Sequence, residues 1–150
     1  MNKILSAEQI KKTSSQYLKE GRKQESWEIK RVQILGNNLQ AEIEMVQTYT
    51  SSNDGAGFHL TIFSSLEFLS QLMIVFGHEL AGLDTKIQEG WMVDSSIKCS
   101  GAIRSTSIKV SMEVLRMRKR GDNLYGHANF TIYSDTDEGY FKATLKGFLS

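Results

Sequence analysis

Hydrophobic positions divide this chain into stretches of period two and one stretch of helical period. Trp27 to Leu35 and Leu39 to Tyr49 read as two strands joined by the turn Gly36-Asn37-Asn38. In the second, Leu39, Ala41, Ile43 and Met45 alternate with Gln40, Glu42 and Glu44. That period gives one buried face and one wet face. Gly and Asn supply the positive φ a tight hairpin turn wants. The segment TSSNDGAG, residues 50–57, reads as a loop. From Ser64 to Leu83 the period changes. Leu66, Phe68, Leu69, Leu72, Met73, Ile74, Val75, Phe76, Leu80 and Leu83 cover most of a helical circumference. A helix apolar nearly all round is normally buried. Gly82 marks its C-terminal stop.

Alternation returns after the helix. Trp91, Val93, Ile97 and Ile103 alternate in one strand, and Ile108, Val110, Met112 and Val114 in the next. Leu124, Ala128, Phe130 and Ile132 mark a third, and Phe141, Ala143 and Leu145 a fourth. Gly121-Asp122-Asn123 and Asp135 to Gly139 are the turns between them. At the start, Ser6 to Glu20 reads as a short helix capped by Ser6, with Gln9 three residues on and Gly21 ending it. The pattern predicts an α+β fold, with an antiparallel sheet curled around one long central helix. The whole of 1–150 reads as one domain, with 1–22 a helical extension and a core of about 27–149. Strand edges this apolar invite dimerisation.

Composition narrows the classes. With 18 Lys+Arg against 17 Asp+Glu, the net charge is +1. That argues against a binder relying on bulk charge, so no nucleic-acid partner is expected. The single cysteine, Cys99, excludes an intrachain disulfide and a Cys-rich zinc site. It reads as a small buried hydrophobe facing inward with Val93 and Ile97. The longest apolar run, Leu72 to Phe76, is far short of the roughly 20 residues of a membrane span. Met1 to Glu20 is polar, without the apolar run of a signal peptide, so no targeting signal is expected there. A soluble, cytoplasmic protein is expected.

Candidate chemistry centres on the helix. At about 100° per residue, Glu67, Gln71, Ile74 and His78 fall on one narrow line, with Ser64 near its edge. A carboxylate on such a helix is either held in a satisfied network or faces a cavity. In a cavity wall it suits acid–base work. His59 lies on the entry loop GFHLTIFSSLE, eight residues before Glu67. The two can converge on one substrate atom, or His59 can simply bond the backbone. N–H groups near Ser64 and Ser65, at the helix start, suit an oxyanion. His78 reads as structural or as part of the substrate wall, and His127 as a surface residue. The run Arg116-Met117-Arg118-Lys119-Arg120 is the one dense positive cluster. It is either a solvated strand end or a grip for phosphates or an acidic carrier protein, through Arg116, Arg118 and Arg120. Nothing has the compact H-E-x-x-H spacing, so neither a metal nor another cofactor is expected.

The strand pair, the loop GAGFHLT, the helix LEFLSQLMIVFGHELAGL and the strand meander together resemble the hot-dog superfamily of acyl-thioester enzymes. The likeness covers about Trp27 to Leu149. It implies a homodimer or larger assembly, with acyl tunnels beside the central helix. It also implies acyl groups carried on coenzyme A or acyl carrier protein. In the thioesterase branches, FcoT-like hydrolases among them, the helix carboxylate, here Glu67, is general base or nucleophile. Gln71 would then hold the nucleophile or carbonyl, and His59 would orient substrate or water. In the hydroxyacyl dehydratase branch, a loop His, here His59, shares proton transfer with the carboxylate. Dehydratases typically carry a proline in that loop, and this chain has none. The resemblance therefore implies thioester hydrolysis first, dehydration or acyl binding without turnover as alternatives.

Overall fold

The computed structural model describes residues 25–50, 55, 57–82 and 88–150. The N-terminal helix expected over Ser6–Glu20 lies outside the described residues, as does most of the 50–57 loop. Two strands come first, β1 (Ser26–Leu35) and β2 (Asn38–Gln47), turning at Gly36, whose φ is +61°. The helix α1 (Ile62–Ala81) follows, then β3 (Gly90–Ser100), β4 (Ser107–Arg120), β5 (Asn123–Tyr133) and β6 (Tyr140–Leu149). All six strands form one antiparallel sheet in the order β1-β2-β4-β5-β6-β3. The helix leaves the sheet after β2 and returns at the far edge, so β1 and β3 are the two edge strands.

Alternation on the inner strands matches the expectation. Leu39, Ile43, Ile108, Val110, Met112, Phe130, Ile132, Phe141 and Leu145 all lie on the concave face and are buried. The helix lies in that concavity and inserts Phe68, Leu69, Leu72 and Phe76. Each such side chain contributes about 1.5–3 kcal/mol by leaving water.

The helix is not buried all round. Ile62, Phe63 and Leu80 are exposed, because one sheet covers only one side of it. It also begins earlier than expected. Thr61, with extended backbone (φ −96°, ψ 157°), is the N-cap, and its Oγ1 accepts the Ser64 N–H. At the other end Gly82 takes the left-handed conformation (φ 67°), and its N–H donates to the Glu79 carbonyl.

The edge strand β3 departs most from its expected pattern. A register shift between Met92 and Asp94 breaks its alternation, so Trp91 shares the outer face with Phe148. Trp91 and Val93 are exposed rather than inward. Ile103 lies past the end of β3, yet it is fully buried, and its carbonyl accepts the Leu60 N–H at 2.8 Å. Cys99 pairs with the core residue Phe141 and so takes the concave face as expected. It is exposed all the same, because no strand or helix covers that edge. What desolvation remains pushes its thiol pKa up. Among the described residues no helix is long and apolar enough to cross a membrane.

Candidate active site

The helix start is fixed by short-range chemistry. Thr61 caps it, the Ser65 N–H donates to the Thr61 carbonyl at 3.1 Å, and the Ser65 hydroxyl donates to the same oxygen. The N–H groups of Ser64 and Ser65, expected to polarise a substrate carbonyl, are thus spent on the cap. Both side chains are buried. The Ser64 hydroxyl donates to the Glu25 carboxylate.

Just past this cap, the helix and β1 enclose an open groove. Glu67, Ser70, Gln71 and Val75 form its helix wall, and Glu25, Ser26, Trp27 and Ile29 its strand wall. Trp27 lies on the concave face opposite Met45, with its ring edge-on to Phe68 at 5.9 Å and 81°. That packing aims its indole N–H at the Glu67 carboxylate, which accepts it at 3.2 Å. Glu67 is half-buried, not fully buried, and Gln71 is exposed to the groove. Two carboxylates therefore line one groove, one held by an indole N–H and the other by a serine hydroxyl. A carboxylate oriented in this way can take a proton from water or attack a carbonyl.

A second, apolar space adjoins this groove. It holds about 150 Å³ and is lined chiefly by Met73, Ile74, Met92, Met117, Leu124 and Leu149. Ser70 borders both spaces, and its hydroxyl donates to the Glu67 carbonyl at 2.7 Å. The polar and apolar spaces thus meet one helical turn from Glu67.

The other predicted residues lie elsewhere. His59 is exposed on the loop before Thr61 and is not among the residues lining the groove. His78 is buried three turns further along the helix, its Nδ1 2.9 Å from the Ile74 carbonyl, and it does not line the groove either. Arg116, Arg118 and Arg120 occupy the convex face, the side of the sheet away from the helix, near the end of β4. Arg118 is about 35 Å along that strand from Ser107, whose neighbour Glu44 pairs with Glu28 beside Trp27. Within one chain the arginines and Glu67 do not meet. Among the described residues no group of three His, Cys, Asp or Glu could hold a metal ion.

Sequence reasoning missed Glu25, Trp27 and Ser70. The first two come from the far side of a chain reversal, which no local spacing reveals. Ser70 had a usable signal, a hydroxyl one turn from Glu67 among apolar neighbours.

An antiparallel sheet of this order, closed around one long helix, matches known architectures. A mutant thioesterase from Pseudomonas aeruginosa superposes with a TM-score of 0.57 at 12% identity, over 81% of this chain and 80% of that one. The chain has the hot-dog fold. A hypothetical thioesterase from Streptococcus pneumoniae, solved with coenzyme A, gives 0.53 at 17% identity, over 83% and 89%. A protein from Streptococcus mutans bound to acetyl-CoA gives 0.55 at 12%, over 87% and 94%. No protein-family model and no curated protein matches the chain by sequence.

Proposed function

We propose that this protein hydrolyses an acyl thioester, with coenzyme A as the carrier favoured over acyl carrier protein. The observation that carries the reading is the shared wall at Ser70, where a carboxylate-lined groove meets an apolar space beside the helix. A thioester needs both, a polar place for its carbonyl and a dry place for its acyl group. Glu67 acts as general base or nucleophile, oriented by the Trp27 indole. Gln71 holds the attacking water or the carbonyl. With the Ser64 and Ser65 N–H groups engaged, the positive end of the helix still favours a developing oxyanion. The apolar space is the size that takes a benzene-sized guest, which favours a short or ring-bearing acyl group. Its three methionines are flexible enough to adapt to the shape. Structural neighbours solved with coenzyme A and acetyl-CoA support that carrier.

Dehydration needs His59 beside the carboxylate, and His59 does not line the groove, so the geometry favours hydrolysis. A homodimer or larger assembly belongs to the same reading. The edge strand β3 pairs on one side only, and one side of α1 is uncovered in the single chain.

The test is hydrolysis of a panel of acyl-CoA thioesters, followed by release of free thiol. Glu67→Gln should lower kcat about 10²–10⁴-fold, the usual contribution of a positioned acid or base. Equal turnover by wild type and Glu67→Gln on every substrate used overturns the role of Glu67. Tight acyl-CoA binding without turnover by wild type indicates an acyl-binding module instead.

A further inference from the structure

The convex face of the sheet carries a cluster outside the Glu67 groove, two of whose residues, Trp91 and Phe148, also border the apolar space. Near one corner, three aromatic side chains stand side by side across neighbouring strands. Tyr125 on β5 is opposite Phe148 on β6, and Phe148 is opposite Trp91 on β3. Strands lie about 4.8 Å apart, so this row is about 10 Å wide. Tyr125 and Phe148 stack at 5.3 Å with a 33° tilt, and Trp91 is 57% exposed. A row of aromatics on the wet side of a sheet gains nothing from the core, since Phe68 and its neighbours lie on the other side.

Against the row, β4 sets Arg116, Arg118 and Arg120 on the same face, alternate residues about 7 Å apart. Arg118 is directly opposite Tyr125, and the Arg120 guanidinium lies 6.0 Å from the Tyr125 ring centroid. None of the three joins an ion pair found among the described residues, whereas Lys146 beside them is paired with Asp94 at 3.3 Å. A cleft on this face is lined by the three arginines, Tyr125, His127 and Lys146, with Val93 at its rim. The alternation explains why the run looked ambiguous. Met117 turns inward against the core, and only the arginines reach this cleft.

A guanidinium presents a planar fork of donors that fits phosphate oxygens, and an aromatic face stacks any nucleobase. A second copy docked with its twofold axis through this corner would set these arginines against themselves. An acidic protein surface would leave the aromatic row unused. The patch, about 14 by 14 Å by strand geometry across β4, β5, β6 and β3, is the size of one nucleotide rather than a strand of them. We propose that this corner binds a nucleoside bearing two or more phosphate charges, its base on the Tyr125–Phe148–Trp91 row and its phosphates on Arg116, Arg118 and Arg120. The site lies on the face opposite Glu67, so the proposal stands whether or not the thioester reading does. Its ligand is either a free nucleotide or the nucleotide end of coenzyme A.

Titration of the whole protein with ADP and with coenzyme A, read by tryptophan fluorescence and calorimetry, tests this. ADP should bind saturably and quench Trp91. The double variant Arg118→Gln/Arg120→Gln should weaken ADP at least about tenfold, with the melting temperature of wild type retained. Trp91→Leu should weaken ADP but leave inorganic pyrophosphate unaffected. Loss of ADP binding alone in the double variant identifies a free nucleotide, and loss of both ligands identifies the nucleotide end of coenzyme A. Absence of saturable ADP binding, unchanged affinity in the double variant, or pyrophosphate binding as tightly as ADP overturns the proposal.

Discussion

Asp137 is the tie between two loops at the end of the sheet nearer the helix entrance, and its removal should be felt in a pH-dependent way. One oxygen, Oδ2, accepts the Arg104 N–H at 3.0 Å, the Ser105 N–H at 2.9 Å and the Ser134 hydroxyl at 2.6 Å. The Ser134 oxygen in turn accepts the Asp137 N–H at 3.0 Å. Residue 103, next in the chain, holds Leu60 through its carbonyl, so the same loop steadies the segment entering α1. Bonds to a charged acceptor are worth about 1.5–3 kcal/mol each when dry. Asp137 is only half-buried, so water replaces much of that. Asp137→Ala should therefore cost about 2 kcal/mol in total. For a chain of this size that is a fall in Tm of about 4–8 °C. The Ser134 hydroxyl first, then the Ser105 and Arg104 N–H groups, holds the carboxyl below its ordinary range. A group whose folded pKa is lowered stabilises fully above its unfolded value, about 3.9, and loses that contribution as pH falls through the folded value. Thermal unfolding followed by circular dichroism at pH 7, 5 and 3 is the assay. The gap in Tm between wild type and Asp137→Ala should be full at pH 7 and 5 and smaller at pH 3. A gap of the same size at every pH would refute the charged clamp, and so would no gap at pH 7.

Two further outcomes separate backbone from side-chain constraints. A Cβ on Gly147 would sit 2.6 Å from the Trp91 carbonyl oxygen, a backbone atom that cannot rotate away, so Gly147→Ala should cost about 1–3 kcal/mol. At Gly90 the obstacle is the tip of the Ile74 side chain at 2.5 Å, which can change rotamer, so Gly90→Ala should cost less; urea midpoints in the opposite order would contradict this. Thr61→Ala removes the N-cap acceptor and should cost about 1 kcal/mol, or about 2–4 °C in Tm. Thr61→Ser should restore most of it, and equal losses in the two variants would mean that capping is not the cause.

Much of the fold could be read from period alone, because most of its strands have one covered face and one wet face. Leu39 to Met45 and Ile108 to Val114 are flanked on both sides by other strands, and the helix lies over their apolar side. Alternation there records burial directly. The edge strand β3 has the same apolar content but only one neighbour, and the shift at Met92/Asp94 moves Trp91 and Val93 out of the expected phase. Its Cys99 keeps the expected face and loses the expected burial, because facing the concave side and being covered there are separate conditions. The helix start was misplaced by two residues for a different reason. Ser64 resembles a cap by residue type, but Thr61 has the extended backbone a cap requires and an oxygen within reach of the Ser64 N–H.

The site divides along the same line between local and long-range information. Glu67 and Gln71 are one turn apart on a single helix, and a 3.6-residue period suffices to see that they share a face. What makes that face a groove is β1, which reaches it only because β1 pairs with β2 along one edge of a sheet that curls over the helix. Trp27 packing on Phe68, not any motif around Glu67, turns the indole N–H toward the carboxylate. The arginine run shows the converse. Its residues are contiguous in sequence, yet period two sends Met117 to the core and Arg116, Arg118 and Arg120 to the opposite face, where cross-strand pairing supplies the aromatic row. Near-zero net charge hid this, since charge summed over the chain cannot register that three cations share one corner. A helix period locates a candidate base, and a strand period separates the arginines from it. Strand pairing then determines that the carboxylates border an apolar space and the arginines border an aromatic ring, on opposite faces of one sheet.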